Sequence, residues 1–194
     1  MPTTRDRLLD AAISAFGGRG FDATSLDSLA TDLGVRKQTI LYYFPSKEAL
    51  LEAAAAQAAC ELTAALEESL ARPGSAWDRV GAIVRAVFRL AVRRPELLGL
   101  LREVSRLGPP AATRFAAVLE PLISRATGFL EEAMSRGELR RQDARLLLLM
   151  AYSSVVGVAT EAEVLRALGV EPTARVLVRQ RAALLDFLRS ALVP

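Results

Sequence analysis

The stretch that most constrains the fold of this chain covers residues 25–44 and reads SLDSLATDLGVRKQTILYYF. In its first half, apolar residues recur at positions i, i+3, i+4 and i+7, which is one face of an α-helix: Leu26, Leu29, Ala30 and Leu33. Gly34 follows directly, and glycine most readily adopts the left-handed conformation that often ends a helix. The stretch therefore predicts two short helices joined by a tight turn at Gly34.

The second short helix has an apolar back and a polar front. Its back is formed by Val35, Ile40 and Phe44. Its front consists of side chains that can donate hydrogen bonds or stack on a partner: Arg36, Lys37, Gln38, Thr39, Tyr42 and Tyr43. Glutamine can read an adenine edge, arginine and lysine can read guanine or bind phosphate, and tyrosine hydroxyls suit phosphates. The pattern predicts a helix-turn-helix that enters a DNA groove, although similar helix pairs also occur in all-α proteins that never bind DNA.

Motifs on both sides of this stretch extend the pattern. Residues 4–7 (TRDR) lead into LLDAAISAF, a glycine-rich break (GGRGFDAT) follows, and YYFPSKEALL comes after the second helix. In these motifs, from about Thr4 to Leu51, the chain resembles the TetR family of bacterial transcriptional regulators. The resemblance implies three N-terminal helices followed by a long linking helix, with Arg36, Lys37, Gln38, Thr39, Tyr42 and Tyr43 facing DNA.

Two further residues are candidate phosphate contacts. Ser25 and Lys47 stand at helix N-termini, where free backbone N–H groups favour an anion. The chain also departs from the family at two positions, because the family commonly has a small residue in place of Gln38 and an aromatic residue in place of Leu41. The operator sequence therefore cannot be inferred from the family. As an alternative, one of the two tyrosine rings packs in the core, and Tyr43 is the better candidate of the two.

The charge balance gives the DNA-binding hypothesis little support. The whole chain carries a net charge of +3, but its first 48 residues contain six basic and six acidic side chains. Binding would therefore depend on segregation, with Arg36, Lys37 and Lys47 on the groove side and the aspartates facing away.

The pattern along the chain predicts an all-α fold of about nine helices. The first helix is expected from Thr4 to Phe16 or Gly17, ended by three glycines, and residues 47–72 contain no glycine or proline and predict one long helix. Further helices are expected up to residue 136, then from about Gln142 to Leu168 and from Pro172 to Leu192. We predict a DNA-binding domain at residues 2–62, joined by the long helix to an effector-binding and dimerisation domain at residues 63–194.

Enzyme chemistry has few candidate residues in this chain. There is no histidine, Cys60 is the only cysteine, and the glycine-rich segment after Phe16 lacks the context of a phosphate-binding loop. We therefore expect no catalytic residue, no metal site and no cofactor. A single cysteine fits a reducing compartment, and the longest uncharged run, residues 146–160, is short for a membrane helix. A cytoplasmic protein without a membrane partner is expected.

The last two predicted helices are unusually apolar. Residues 146–159 (LLLLMAYSSVVGVA) are apolar on every side, and the final helix has a broad apolar face. A high hydrophobic content, 52%, also favours surface buried against another subunit. In the TetR family these two helices pair with their symmetry mates, which implies an interface that includes Ser153, Ser154, Gly157, Leu184, Phe187 and Leu188. The alternative is a monomeric core.

The resemblance also implies a ligand pocket among the middle helices. Its candidate lining residues are Trp77, Phe88, Phe115, Phe129, Met134 and Tyr152, and plain core packing is the alternative for each. Because no charged cluster is visible among them, a small, mainly apolar effector is expected.

Together these patterns support the hypothesis of a ligand-responsive transcriptional regulator. It would be a repressor that binds a palindromic DNA operator as a homodimer, associates with the bacterial nucleoid when bound, and is released by its effector. The main alternative is a TetR-like helical protein that binds small molecules or acts as an adaptor without operator binding. An all-α enzyme is a third hypothesis.

Overall fold

A computed structural model describes residues 3–160, 162–171 and 173–194. Within these ranges there are ten helices and no strand, which confirms the predicted all-α class. The helices are α1 (Thr4–Arg19), α2 (Leu26–Leu33), α3 (Lys37–Tyr43), α4 (Lys47–Leu70), α5 (Ala76–Arg93), α6 (Pro95–Leu107), α7 (Ala111–Ser135), α8 (Ala144–Thr160), α9 (Ala162–Ala167) and α10 (Ala174–Leu192).

The C-terminal helices differ in detail from the expected bounds. A single helix was expected across residues 142–168, but this span includes Glu161, which lies outside the described residues. The expected start of the last helix at Pro172 lies outside them too. The described part of α10 begins at Ala174, after Thr173, whose side chain accepts a hydrogen bond from the Val176 amide at 3.3 Å. A threonine that accepts in this way is a favourable N-cap.

The chain forms two compact units. The first comprises Met1–Leu62 together with Arg94–Leu119, and the second comprises Thr63–Arg93 together with Glu120–Pro194. Residues 94–119 were predicted to belong to the C-terminal domain. In the structure α6 packs against α1 within the first unit, and the predicted domain boundary stays a prediction.

Two glycines allow α1 and α6 to pack closely. A Cβ atom placed on Gly17 would overlap the backbone carbonyl of Glu96, and one placed on Gly99 would overlap the carbonyl of Gly17. The expectation that Gly17 and Gly18 end the first helix is therefore wrong, since both lie inside α1. The helix ends at Gly20, whose φ of +87° is in the region that favours glycine. The missing side chain at Gly17 permits a helix crossing and not a turn.

The first unit has a continuous apolar core. Its helices contribute side chains that are almost completely buried: Leu9, Ile13, Phe16, Leu29, Ile40, Leu50, Leu98, Leu100 and Val104. Ion pairs surround this core, and Arg94 contacts both Asp10 of α1 (3.6 Å) and Glu61 of α4 (3.4 Å). The α6 segment is thus joined to the N-terminal helices by apolar and charged contacts.

The second unit is built from α5, α8 and α10, which pack against one another, with parts of α4 and α7. Its buried side chains include Phe88, Leu130, Met134, Leu147, Val155, Leu184, Leu188 and Leu192. The α7–α8 connection contacts two other segments. Glu138 accepts a hydrogen bond from the Ala76 amide at 2.9 Å, and the Arg140 amide donates to the Leu192 carbonyl at 2.8 Å.

Among the described helices, α4 alone is long and apolar enough to pass a length-and-hydropathy test for a membrane span. Its first half buries Leu50, Leu51 and Ala54 in the first unit. A core helix of a globular protein passes the same test, so this property by itself does not indicate a membrane.

We expect Gly17→Ala and Gly99→Ala to lower the free energy of unfolding by about 1–3 kcal/mol or more, because the added methyl groups meet backbone and not flexible side chains. Thermal unfolding followed by circular dichroism at 222 nm measures the effect. Gly18→Ala is the matched control, since a Cβ at Gly18 meets no atom within 4 Å. This control should be neutral or stabilising by up to about 1 kcal/mol. Equal stability of Gly17→Ala and Gly18→Ala would contradict the close crossing.

Candidate nucleic-acid interface

The turn between α2 and α3 has the geometry that its sequence predicts. Gly34 lies at φ +65° and ψ +34°, the left-handed region. Its amide donates to the Thr31 carbonyl at 3.1 Å, and the Val35 amide donates to the Ala30 carbonyl at 3.0 Å. These two bonds form a Schellman motif, which satisfies the last carbonyls of α2 and redirects the chain into α3.

The start of α2 is fixed by a pair of serines. The Ser25 hydroxyl accepts a hydrogen bond from the Ser28 amide at 3.0 Å, and the Ser28 hydroxyl accepts one from the Ser25 amide at 3.2 Å. Thr24, just before, is buried and donates to the Gly20 carbonyl at 2.8 Å. Ser25 is exposed at this helix start, and its contact with a DNA phosphate stays a prediction.

Helix α3 presents one side to the core and the other to solvent. Ile40 is fully buried and Phe44, at the end of the helix, is nearly so. On the opposite side, Gln38 is exposed and Tyr42 is 83% exposed. Tyr43 is also exposed, at 39%, and its ring lies edge-on to that of Tyr42, with centroids 5.1 Å apart. Neither tyrosine ring is therefore buried in the core.

The remaining predicted contacts divide into free and engaged side chains. Arg36 is exposed at the N-cap of α3, and Thr39 is half-buried. The Lys37 ammonium forms an ion pair with Asp27 of α2 at 2.8 Å. The Lys47 ammonium lies 4.0 Å from the centre of the Phe21 ring, a cation–π contact. Both lysines thus have partners in the free protein.

The predicted segregation of charge is wrong at one point. Asp27 does not face away from the exposed side of α3, because its carboxylate accepts a hydrogen bond from the Lys37 ammonium. Asp27 lies in the first turn of α2, where a negative charge interacts favourably with the helix dipole. The turn at Gly34 then brings the start of α3 close to Asp27. The pair neutralises one of the cations that the sequence assigned to DNA.

Arg5 is a candidate contact that the sequence pattern did not identify. Its guanidinium lies 5.5 Å from the centre of the Phe44 ring, so the first turn of α1 adds a cation beside the end of α3. The two residues are far apart in the chain, and no periodicity relates them. Only the folding of α1 against α3 brings them together.

The six predicted pocket residues are distributed over both units. Phe115 belongs to the first unit, and the other five belong to the second. Tyr152 is 43% exposed, and its assignment to a pocket lining stays a prediction. Phe88 and Met134 are buried, while arginines lie over the two half-buried rings. Arg189 is 5.7 Å from the centre of the Trp77 ring, and Arg79 is 5.6 Å from that of Phe129.

The six predicted interface residues separate into two groups. Leu184 and Leu188 are buried within the protomer, and their assignment to a subunit interface stays a prediction. They lie on the side of α10 that packs against its own unit. Phe187 is 62% exposed and Ser153 is exposed, whereas Ser154 and Gly157 are partly exposed.

Residues 8–54 match the family described as "Bacterial regulatory proteins, tetR family". The chain is 35% identical over 48 residues to the biofilm operon negative transcriptional regulator IcaR of Staphylococcus aureus (strain Newman). That alignment covers 25% of this chain and 26% of the regulator. Sequence similarity to this relative is thus confined to about a quarter of each protein.

Two solved structures are similar to nearly the whole chain. A transcriptional regulator from Saccharomonospora viridis in complex with choline has a TM-score of 0.80 at 20% identity, over 98% of this chain and 97% of its own. The regulator FadR of Bacillus subtilis in complex with stearoyl-CoA has a TM-score of 0.79 at 20% identity, over 95% and 97%. At these identities the likeness concerns the fold.

The buried back and exposed front of α3, joined to α2 through the Gly34 turn, define a helix-turn-helix protein of the all-α class. The match over residues 8–54 covers this same element. The similarity to the TetR family thus covers the N-terminal helices, which include this helix-turn-helix.

We expect Asp27→Asn to raise affinity for duplex DNA about two- to tenfold, because it frees Lys37 for phosphate and removes a nearby negative charge. The slope of log K against log salt should steepen by about one unit. Fluorescence anisotropy at several salt concentrations measures both.

Asp32→Asn is the control for loss of one negative charge, since Asp32 pairs with Arg19 of α1 and not with a residue of α3. It should change affinity less than Asp27→Asn. If the two variants behave alike, Lys37 is not the cation that matters.

Proposed function

We propose that this chain is a DNA-binding transcriptional regulator, and that α3 reads the major groove. The observation that carries the proposal is the division of α3 into a back anchored by Ile40 and a front that exposes Gln38 and Tyr42. A major groove about 12 Å wide admits one helix, and side chains on its exposed face then meet base edges. The family match over residues 8–54 supports the same role.

The exposed residues have distinct proposed roles. Gln38 is suited to a bidentate bond with adenine, and Arg36 to guanine or phosphate. Tyr42 and Tyr43 donate their hydroxyls to phosphates, which fixes the register of the protein on DNA without reading the sequence. Thr39 offers its methyl group to thymine. Ser25 and Lys47 add phosphate contacts at helix starts, and Lys37 does so after release from Asp27.

We further propose that the protein acts as a homodimer on a palindromic operator. Apolar side chains at i, i+3 and i+4 on α8 are about half exposed: Leu146 (49%), Leu149 (58%) and Met150 (54%). Val178 and Phe187 of α10 are similarly exposed, at 55% and 62%. An apolar helix face left open in one protomer suits burial against a second copy. Two copies related by a twofold axis would present two α3 helices to two half-sites.

Regulation is proposed to be repression that a small, mainly apolar effector relieves. The staphylococcal relative is a negative regulator, and the similar solved structures hold small cationic choline and the long-chain acyl thioester stearoyl-CoA, which supports ligand binding in general. The apolar character proposed for the effector rests on the buried apolar side chains of the second unit. The effector would bind among the helices of the second unit, near Phe88 and Met134, and shift the population between DNA-competent and DNA-incompetent dimers. Blocking a promoter in this way requires no catalysis, and the proposed location is the bacterial cytoplasm.

The proposal is tested by selecting operators from a library of random DNA duplexes. Enrichment of a palindromic sequence supports it, whereas uniform recovery with no preferred sequence favours a helical small-molecule-binding or adaptor protein. Gln38→Ala should relax preference at one base pair per half-site, a loss of about 1–3 kcal/mol of discrimination. Tyr42→Ala should weaken binding to all duplexes by about fivefold, because a phosphate contact carries no sequence information.

Gln142→Ala is the control for the glutamine variant, since Gln142 is an exposed residue of the second unit. It should bind the selected operator like the wild type. Operator binding that neither Gln38→Ala nor Tyr42→Ala alters would show that another surface reads DNA.

We expect Phe187→Arg to dissociate the proposed dimer, because a charge replaces an exposed ring on the apolar face of α10. Sedimentation equilibrium over a range of concentrations gives the dissociation constant, which should rise at least tenfold. Leu168→Arg is the matched control, since Leu168 is 72% exposed but lies outside α8 and α10. A wild-type protein that stays monomeric at micromolar concentration would contradict the proposal.

A further inference from the structure

A carboxylate from α6 closes the turn between α1 and α2. Glu103 Oε1 accepts a hydrogen bond from the Phe21 amide at 2.7 Å, although the two residues are 82 positions apart. Arg106 donates to the same carboxylate from Nε and from Nη2, each at 2.9 Å. The Glu103 side chain is only 13% exposed, and its bond from the Phe21 amide is partly buried, whereas the bonds from Arg106 are exposed. A bond between an ionised carboxylate and an amide in such a place is stronger than one between neutral groups.

The residues bound by Glu103 lead directly into the reading helices. After Gly20 and Phe21 the chain reaches Thr24, whose amide donates to the Phe21 carbonyl at 3.1 Å. Ser25 then caps α2. The Phe21 ring contacts the Phe16 ring of α1, with centroids 5.6 Å apart, and the Lys47 ammonium at the start of α4. The Phe21 backbone and ring therefore connect the ends of α1, α2 and α4.

Helix α6 can hold this turn because it is itself held against α1. The backbones of the two helices are in direct contact at Gly17 and Gly99, because neither residue has a side chain. This close contact fixes the position of α6 along α1. Glu103 lies one helical turn beyond Gly99 and so reaches the end of α1 at Gly20, whose added Cβ would lie 3.5 Å from Glu103 Oε1.

The charge on Glu103 is also stabilised. The hydrogen bonds from Arg106 lower the pKa of Glu103 from its ordinary value, partial burial opposes them, and the bond from the Phe21 amide lowers the pKa further. The carboxylate is therefore ionised at neutral pH.

We propose that Glu103 is a positioning residue for DNA recognition. It does not touch DNA, but its bond to the Phe21 amide sets the angle at which α2 and α3 leave α1. The proposal rests on the DNA-binding function proposed above and adds to it a residue outside the matched segment 8–54. A loosened turn would still let the basic side chains find phosphates. It would spoil the simultaneous fit of Gln38 and its neighbours to base edges.

The test compares three variants, each of which removes one negative charge, on the selected operator and on a scrambled duplex of equal length and composition. Glu103→Ala removes the acceptor, and Glu103→Gln keeps an oxygen that can accept from Phe21. Asp22→Asn removes the other carboxylate that pairs with Arg106. The Asp22 side chain is 79% exposed, so its loss should change DNA affinity little. Anisotropy titrations on both duplexes give a specificity ratio for each protein.

Glu103→Ala is expected to weaken operator binding at least about tenfold and to leave the scrambled duplex within about twofold of wild type. Glu103→Gln should stay within about threefold of wild type on both duplexes, and Asp22→Asn within about twofold. An unchanged ratio for Glu103→Ala, or a Glu103→Gln protein as impaired as Glu103→Ala, would overturn the inference. Failure of the wild type to select any operator would instead refute the proposed function.

Hydrogen exchange supplies a second readout that does not depend on DNA. The Phe21 amide should be protected in wild type and in Glu103→Gln, and should exchange at least tenfold faster in Glu103→Ala. If Glu103→Ala does not fold, Phe21 protection and operator specificity are compared with each other in Glu103→Gln. A Phe21 amide that loses protection in Glu103→Gln while operator affinity and specificity stay at wild-type values would refute the positioning role.

Discussion

The crossing of α1 and α6 at Gly17 and Gly99 is the contact on which the first unit depends. The axes of packed helices normally lie about 8–10 Å apart because side chains separate the two backbones. With glycine at both positions, the carbonyl of one helix occupies the space where the other would carry a Cβ. A segment more than seventy residues along the chain thereby becomes part of the N-terminal unit. It brings with it Arg94 and Glu103, which bind Asp10 and the Phe21 amide.

The first unit, which carries the proposed DNA-binding surface, has no excess of positive charge. Such a protein cannot rely on a broad basic face and must place individual cations accurately. In the free protein Lys37 is paired with Asp27, and Lys47 lies over the Phe21 ring. These contacts hold the lysines in defined positions, and they also compete with phosphate. The strength of these two contacts therefore sets how readily each lysine is released to bind phosphate.

The apolar content of the second unit serves two purposes. One side of α10 packs Leu184, Leu188 and Leu192 into the core of its own protomer. The other side and the outer face of α8 leave Phe187, Leu149 and their neighbours open. A helix that is apolar on more than one face needs more than one partner. Here the first partner is the protomer itself, and the second is the symmetry-related copy proposed above.

The sequence alone determined the elements that depend on local rules. Helix periodicity, the capping Ser25 and the left-handed Gly34 specify the helix-turn-helix, because their effects act within a few residues. The exposed front of α3 follows from the same periodicity. Only the tertiary structure decided that Gly17 serves a helix crossing and not a turn, that Asp27 holds Lys37, and that residues 94–119 join the first unit. These outcomes depend on contacts with residues from other segments of the chain, and a local sequence pattern does not specify which residues make those contacts.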